Sequence, residues 1–169
     1  SIKSYGLISL KKVIYAANIA EADMATGTND YVKKVVDYAT KEGAGVVVIS
    51  AAAEAQLVGM SDIEKKEFLE ELGVHDTGLN QLIRKAYELL GLRTYFTAGV
   101  KEVRAWTIHA GDKAPRAAGV IHTDFEKGFI KAETISYADF VEVGGRTKAR
   151  EVGKARQEGA CSAIQGGGT

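Results

Sequence analysis

The sequence predicts an α/β unit with parallel strands, followed by a small α+β module of the β-grasp kind. Three observations predict it. Two short apolar runs, "VIYAA" (13–17) and "GVVVIS" (45–50), flank a helical pattern. Strands buried on both faces read as continuous apolar runs, and a helix between them makes a right-handed crossover that leaves them parallel. Segments 61–72 and 79–90 then carry helical spacing with clear start and stop signals. From Leu92 the texture changes to aromatic and β-branched residues around a glycine-containing turn, then a helix and a further strand. The boundary is placed near Gly91.

In order along the chain, Val32, Val35, Val36 and Ala39 recur at helical spacing, with Thr28 or Asn29 as N-cap and Gly43 as the stop. "SDIEKKEFLEEL" (61–72) opens with a capping box, because Ser61 can accept from the Glu64 N–H while the Glu64 side chain reaches back. Gly73 closes it. Leu79, Leu82, Ile83, Ala86, Tyr87 and Leu90 form one helical stripe, ended by Gly91 at C′. "RTYFTAGV" and "EVRAWTIHAG" read as a hairpin. Pro115 suits N1 of a helix carrying Val120, Ile121 and Phe125. "IKAETIS" (130–136) alternates as a strand does. "ACSAIQGGGT" (160–169) has no period and reads as a flexible or foreign tail.

Composition narrows the classes. With 169 residues, 46% hydrophobic and 26% charged, the chain is globular, as one domain or two small ones. The 22 basic and 22 acidic residues cancel, so the chain as a whole is not a strong polyanion binder. Residues 1–90 hold 10 basic and 13 acidic side chains, and residues 91–169 hold 12 and 9, a mild tilt toward nucleic acid in the second half. The single Cys161 provides no disulfide framework and fits a reducing compartment. No apolar run reaches membrane-spanning length, so a cytoplasmic protein with no membrane partner is expected. The start at Ser1, without Met, hints that the natural N-terminus lies elsewhere.

In an open parallel sheet, ligands bind outside the carboxyl ends of the strands. Asn18 ends one run and Ser50 ends its parallel neighbour, so both face one crevice. A carboxamide offers an acceptor and two donors, and can accept from the adenine N6 amine while donating to N7. Guanine offers N–H donors at N1 and N2, where adenine offers a lone pair at N1. A Glu21 carboxylate would therefore welcome guanine there and has to point elsewhere for adenine. Alone, N-x-x-E is a very weak signal and reads as an Asn in a turn beside a solvated Glu.

"NIAE" (18–21) and "SAAAE" (50–54) stand one βαβ unit apart, where GTPases read the base with N-K-x-D and S-A-x. From here the chain closely resembles the YchF (Obg-like) ATPases, in which N-x-x-E replaces N-K-x-D. The likeness continues through "EFLEELGV", "GLNQLIRKAYELLGLRTYFTAGVKEVRAWTI" and "AAGVIHTDFEKGFIKAETISYADF", and covers residues 5–159. It implies a partial P-loop NTPase (G) domain with parallel strands over 12–90 and a β-grasp (ubiquitin-like) TGS domain over 91–159. Residues 1–11 would be the return from an inserted helical domain, with Lys12 where the family usually has proline. The base-reading positions fall on Asn18, Ile19, Ala20 and Glu21, with Ser50, Ala51 and Ala52 contributing from the neighbouring loop. Ile19 stands where GTPases keep a lysine whose stem covers the base. The implied cofactors are ATP and Mg²⁺, and the implied partner is the ribosome, through its RNA or protein.

The family's phosphate-binding loop, Mg²⁺-binding switch and D-x-P-G segment have no counterpart here, and no G-x-x-x-x-G-K-[ST] occurs. Phosphoryl transfer depends on cradled phosphates and metal. No ATPase activity is therefore expected of this chain by itself, and only weak adenine binding. The family's closing hairpin, beginning "KDYIVQDGD", is replaced after "ARQEG" (155–159), so a truncated or misread end and unpaired sheet edges are expected. Parallel strands without the rest of their sheet also predict poor solubility.

Two readings stay open: part of an ATP-selective, ribosome-associated ATPase, or a non-enzymatic TGS module with a vestigial base pocket. Arg146, Lys148, Arg150, Lys154 and Arg156 form a basic run that either contacts ribosomal RNA or is a solvated segment. His122 and Glu126, with Asp124 between, would share a helix face, but no third ligand accompanies them and no metal site is assigned. His75 and His109 are isolated. Tyr95 and Trp106 suit a core better than base stacking. Cys161 has no base partner to activate it.

Overall fold

The structure is a computed structural model that describes residues 2–99 and 101–164. It divides into two compact units, Ser1–Leu90 and Gly91–Thr169. In the first, short 3-10 turns at Ile2–Tyr5 and Ile8–Leu10 lead into β1 (Ile14–Asn18). Helix α1 (Asp30–Glu42) crosses to β2 (Gly45–Ile49), which pairs with β1 in parallel, Asn18 opposite Ile49. The N–H of Ile19 donates to the Ile49 carbonyl at 2.8 Å and carries the ladder past the strand ends. Asn29 caps α1 by accepting from the N–H groups of Tyr31 and Val32, and Gly43 closes it at φ +67°, a left-handed conformation that costs glycine nothing. Val32 and Ala39 are the buried part of the predicted stripe, while Val36 is exposed. Tyr15 Oη donates to Glu42 at 2.7 Å and ties β1 to the end of α1.

Helix α2 (Ala51–Gln56) follows β2 directly, where the sequence predicts a loop. Helix α3 (Asp62–Glu71) carries both halves of the Ser61–Glu64 capping box. Helix α4 (Gly78–Leu90) packs on β2. The Lys12 ammonium donates to the Leu89 carbonyl, meeting the last turn of α4, where unpaired carbonyls favour a cation. The predicted α4 stripe is only partly covered: Leu79, Ile83 and Leu90 are 57%, 47% and 56% exposed. Among the described residues β1 and β2 have no further strand beside them, so this apolar face lacks an apposed layer.

In the second unit β3 (Leu92–Ala98) and β4 (Val103–His109) form the expected antiparallel hairpin, Tyr95 opposite Trp106. Tyr95 Oη donates to the Ala117 carbonyl and Trp106 Nε1 to Thr97 Oγ1, both at 2.9 Å, so these rings serve packing. The helix predicted from Pro115 is broken. Helix α5 (Ala114–Ile121) ends at His122, whose extended backbone (φ −159°) also starts α6 (Thr123–Lys127). His122 Nδ1 accepts from the Asp124 N–H at 3.2 Å, and Glu126 lies 3.5 Å from Arg116. The shared face for His122 and Glu126 therefore does not exist, and His122 is a cap.

Strand β5 (Lys131–Thr134), helices α7 (Tyr137–Val143) and α8 (Arg146–Glu151), and β6 (Arg156–Gly159) complete the unit. β5 pairs with β6 and not with the first hairpin, so the single sheet of a β-grasp is not assembled among the described residues. The tail expected over 160–169 is tied down as far as Ile164. Ala114 N–H donates to the Ser162 carbonyl at 2.9 Å and Ile164 N–H to that of Asp112 at 3.1 Å. Residues 165–169 lie outside the described part.

Candidate functional site

The parallel register brings the segments after β1 and β2 together, and one hydrogen bond joins them. The Ala51 N–H donates to Asn18 Oδ1 at 2.9 Å. This bond has a chemical consequence. With its oxygen engaged by the backbone of α2, the Asn18 carboxamide is left with Nδ2 as a free-facing donor, matched to an acceptor such as purine N7. The two-way pairing expected of Asn18, accepting from N6 and donating to N7, is thus reduced on its acceptor side. Asn18, Ala20, Ala51 and Ala52 are exposed at this end of the sheet.

Three of the predicted residues are engaged within the chain itself. Ser50 is 1% exposed, and its hydroxyl accepts from the Ala53 N–H at 3.4 Å as the N-cap of α2. The cap takes the side-chain contact the sequence reading gave Ser50. Ile19 is buried at 8% exposure. It lines a cavity of about 520 Å³ together with Met24 and residues of β2 and α4. Neither Asn18, Glu21 nor Ala51 lines that cavity. Glu21 Oε1 accepts from Gln56 Nε2 at 2.6 Å, so the carboxylate is held against α2.

Sequence reasoning missed α2 and the two side chains it contributes. Gln56 holds Glu21, and Glu54 Oε1 accepts from the Gly78 N–H at 2.6 Å, anchoring the first turn of α4. A Cβ on Gly78 would stand 2.7 Å from Ile49 Cγ2, which gives a packing reason for glycine there. The signal was present in "SAAAEAQ": a capping serine before a run of strong helix formers. Asp76, Thr77, Asn80 and Arg84 complete the same junction. Asn80 donates to Asp76 and Thr77 at 2.8 and 3.0 Å, and Arg84 pairs with Asp76 at 2.5 Å. Burial works against the Asp76 charge, but these hydrogen bonds and the Arg84 guanidinium outweigh it and hold the carboxyl below its usual value.

The basic run is mostly self-neutralised. Arg146 and Arg150 both clasp Glu133, at 2.8 and 2.7 Å, and Lys154 lies 2.7 Å from Asp139 and 2.6 Å from Glu142. The Arg150 and Arg146 hydrogen bonds lower the Glu133 carboxyl below its usual value. Lys148 and Arg156 make none of the described ion pairs. Among the described residues no group of three or more His, Cys, Asp or Glu side chains could hold a metal, and no helix is long and apolar enough to cross a membrane.

Residues 92–168 match the family model YchF-GTPase_C, described as a protein of unknown function (DUF933). The chain is 52% identical over 167 residues to the ribosome-binding ATPase YchF of Haemophilus influenzae, covering 99% of this chain and 46% of that protein. It is 47% identical to that of Bacillus subtilis, covering 98% and 46%. A solved structure of the Schizosaccharomyces pombe YchF GTPase superposes with a TM-score of 0.81 at 36% identity, over 98% of this chain and 44% of that one. The chain thus spans somewhat under half the length of these relatives, whose names differ on the nucleotide. Sequence and fold agree that the chain belongs to the YchF family.

Proposed function

We propose that residues 12–90 form the base-reading part of a ribosome-associated ATPase, selecting ATP over GTP through Asn18 and Glu21. The observation that carries this reading is the Asn18 Oδ1 to Ala51 N–H bond, which joins two segments at the carboxyl ends of parallel strands, where such sheets bind nucleotides. It leaves an amide donor for N7, and Glu21, three residues beyond Asn18, is held to Gln56 of the neighbouring segment. Residues 91–159 act as the TGS module, with Lys148 and Arg156 offering charge to ribosomal RNA. Cradling the phosphates and Mg²⁺ falls to residues outside this sequence: it has no G-x-x-x-x-G-K-[ST], and its described residues include no fitting metal group. No step of hydrolysis is derived from this chain.

The test is a titration of fluorescent ATP and GTP analogues into this chain, then into this chain joined to the amino-terminal part of the Haemophilus influenzae relative. Binding that is strong only in the joined protein, favours ATP and falls with Asn18→Ala supports the proposal. No binding in either supports a TGS docking module with a vestigial pocket.

A further inference from the structure

We infer that Gln56 is a positioning residue that sets purine preference by holding the Glu21 carboxylate against α2. The inference rests on the base-pocket reading above and adds a residue to it. Glu21 follows β1 by three positions and Gln56 closes α2, so their 2.6 Å bond joins the two segments that Asn18 and Ala51 join nearby. A Gln amide is a donor that carries no charge, so it can hold a carboxylate without neutralising it. Released, Glu21 would be an acceptor-only group three residues beyond Asn18. Such a group suits the N1–H and N2–H donors of guanine and opposes the N1 lone pair of adenine. Held to Gln56, it has one oxygen occupied and its direction fixed toward the helix. The same carboxylate can thus favour either purine, and Gln56 determines which.

The experiment uses the 169-residue chain with AMP and GMP, read by amide shifts of Asn18 and Ala51 and by the Gln56 and Asn18 side-chain NH₂ resonances. In the wild type, AMP is expected to shift these resonances at lower concentration than GMP. Gln56→Ala should tighten GMP by roughly fivefold or more, the discrimination of one good bidentate base contact, and weaken AMP. Adding Glu21→Ala to Gln56→Ala should cancel the gain, which a merely structural role for Gln56 does not predict. An unchanged AMP to GMP ratio in Gln56→Ala, or a gain that survives in the double variant, overturns the inference while leaving the pocket. An absence of shifts at Asn18 and Ala51 with either nucleotide, both in the wild-type chain and in the chain joined to the relative's amino-terminal part, removes the pocket itself, and the inference with it.

Discussion

In residues 1–90, polar side chains near the strand ends join elements distant in sequence. Asn18 reaches Ala51, Glu21 reaches Gln56, and Glu54 reaches Gly78. In residues 146–156, charged side chains mostly close on acids of their own unit: Arg146 and Arg150 on Glu133, Lys154 on Asp139 and Glu142. The first arrangement leaves the exposed Asn18 with an amide donor and anchors the Glu21 carboxylate to Gln56. The second consumes its charges, and exposed pairs of this kind add little stability each. A dense basic run is thus weaker support for nucleic-acid binding than its composition suggests, and a sparse N-x-x-E is stronger support for a pocket than its own pattern allows.

Variants in both regions test that contrast. Gly78→Ala places a methyl against Ile49 and strains the bond to Glu54, so it should destabilise the chain by about 1–3 kcal/mol in thermal or denaturant unfolding. An unfolding midpoint equal to that of the wild type would mean this junction yields at no cost. Asn18→Ala removes both the bridge and the N7 donor. In the protein joined to the relative's amino-terminal part it should weaken an ATP analogue about tenfold, the worth of one such contact. A comparable loss on Lys148→Ala would erase the distinction between the two regions.

Smaller effects fall on the basic run. Lys148→Ala and Arg156→Ala should each lower the salt dependence of ribosome co-sedimentation by about one unit of slope. Arg146→Ala and Arg150→Ala should change it less, because their guanidiniums are engaged by Glu133. The smallest effect is the pH dependence of Glu133. Its folded-state value lies below the ordinary 4.5, chiefly through Arg150 and then Arg146. Its contribution is therefore present above pH 4.5 and is lost as pH falls through the lower folded value. Glu133→Gln should flatten the acid limb of the stability curve in that window by slightly lowering stability at neutral pH, and leave stability below the folded value nearly unchanged.

Much of the fold was legible because the signals were local. The apolar runs 13–17 and 45–50, the Ser61–Glu64 box, the Asn29 cap and the 92–109 hairpin all depend on near neighbours, and all are present. What depended on distant partners was not legible. The break at His122 arises because its imidazole caps a new helix. Strand β6 exists only by pairing with β5, and residues 160–164 are ordered by the 112–114 backbone. At the site, Asn18 and Glu21 could be selected from spacing and likeness. That Ser50 turns inward to cap α2, and that Gln56 holds Glu21, required the helix itself. Short helices such as Ala51–Gln56 carry too few turns for periodicity to show them.

The most direct measurement of the central claim is a set of intermolecular nuclear Overhauser effects between AMP and the 169-residue chain. The account predicts contacts from adenine H8, the proton next to N7, to the Asn18 side-chain amide and to the Ala51 and Ala52 methyls. Contacts confined to the Val46–Ile49 and α4 cavity, or to the second unit, would contradict it.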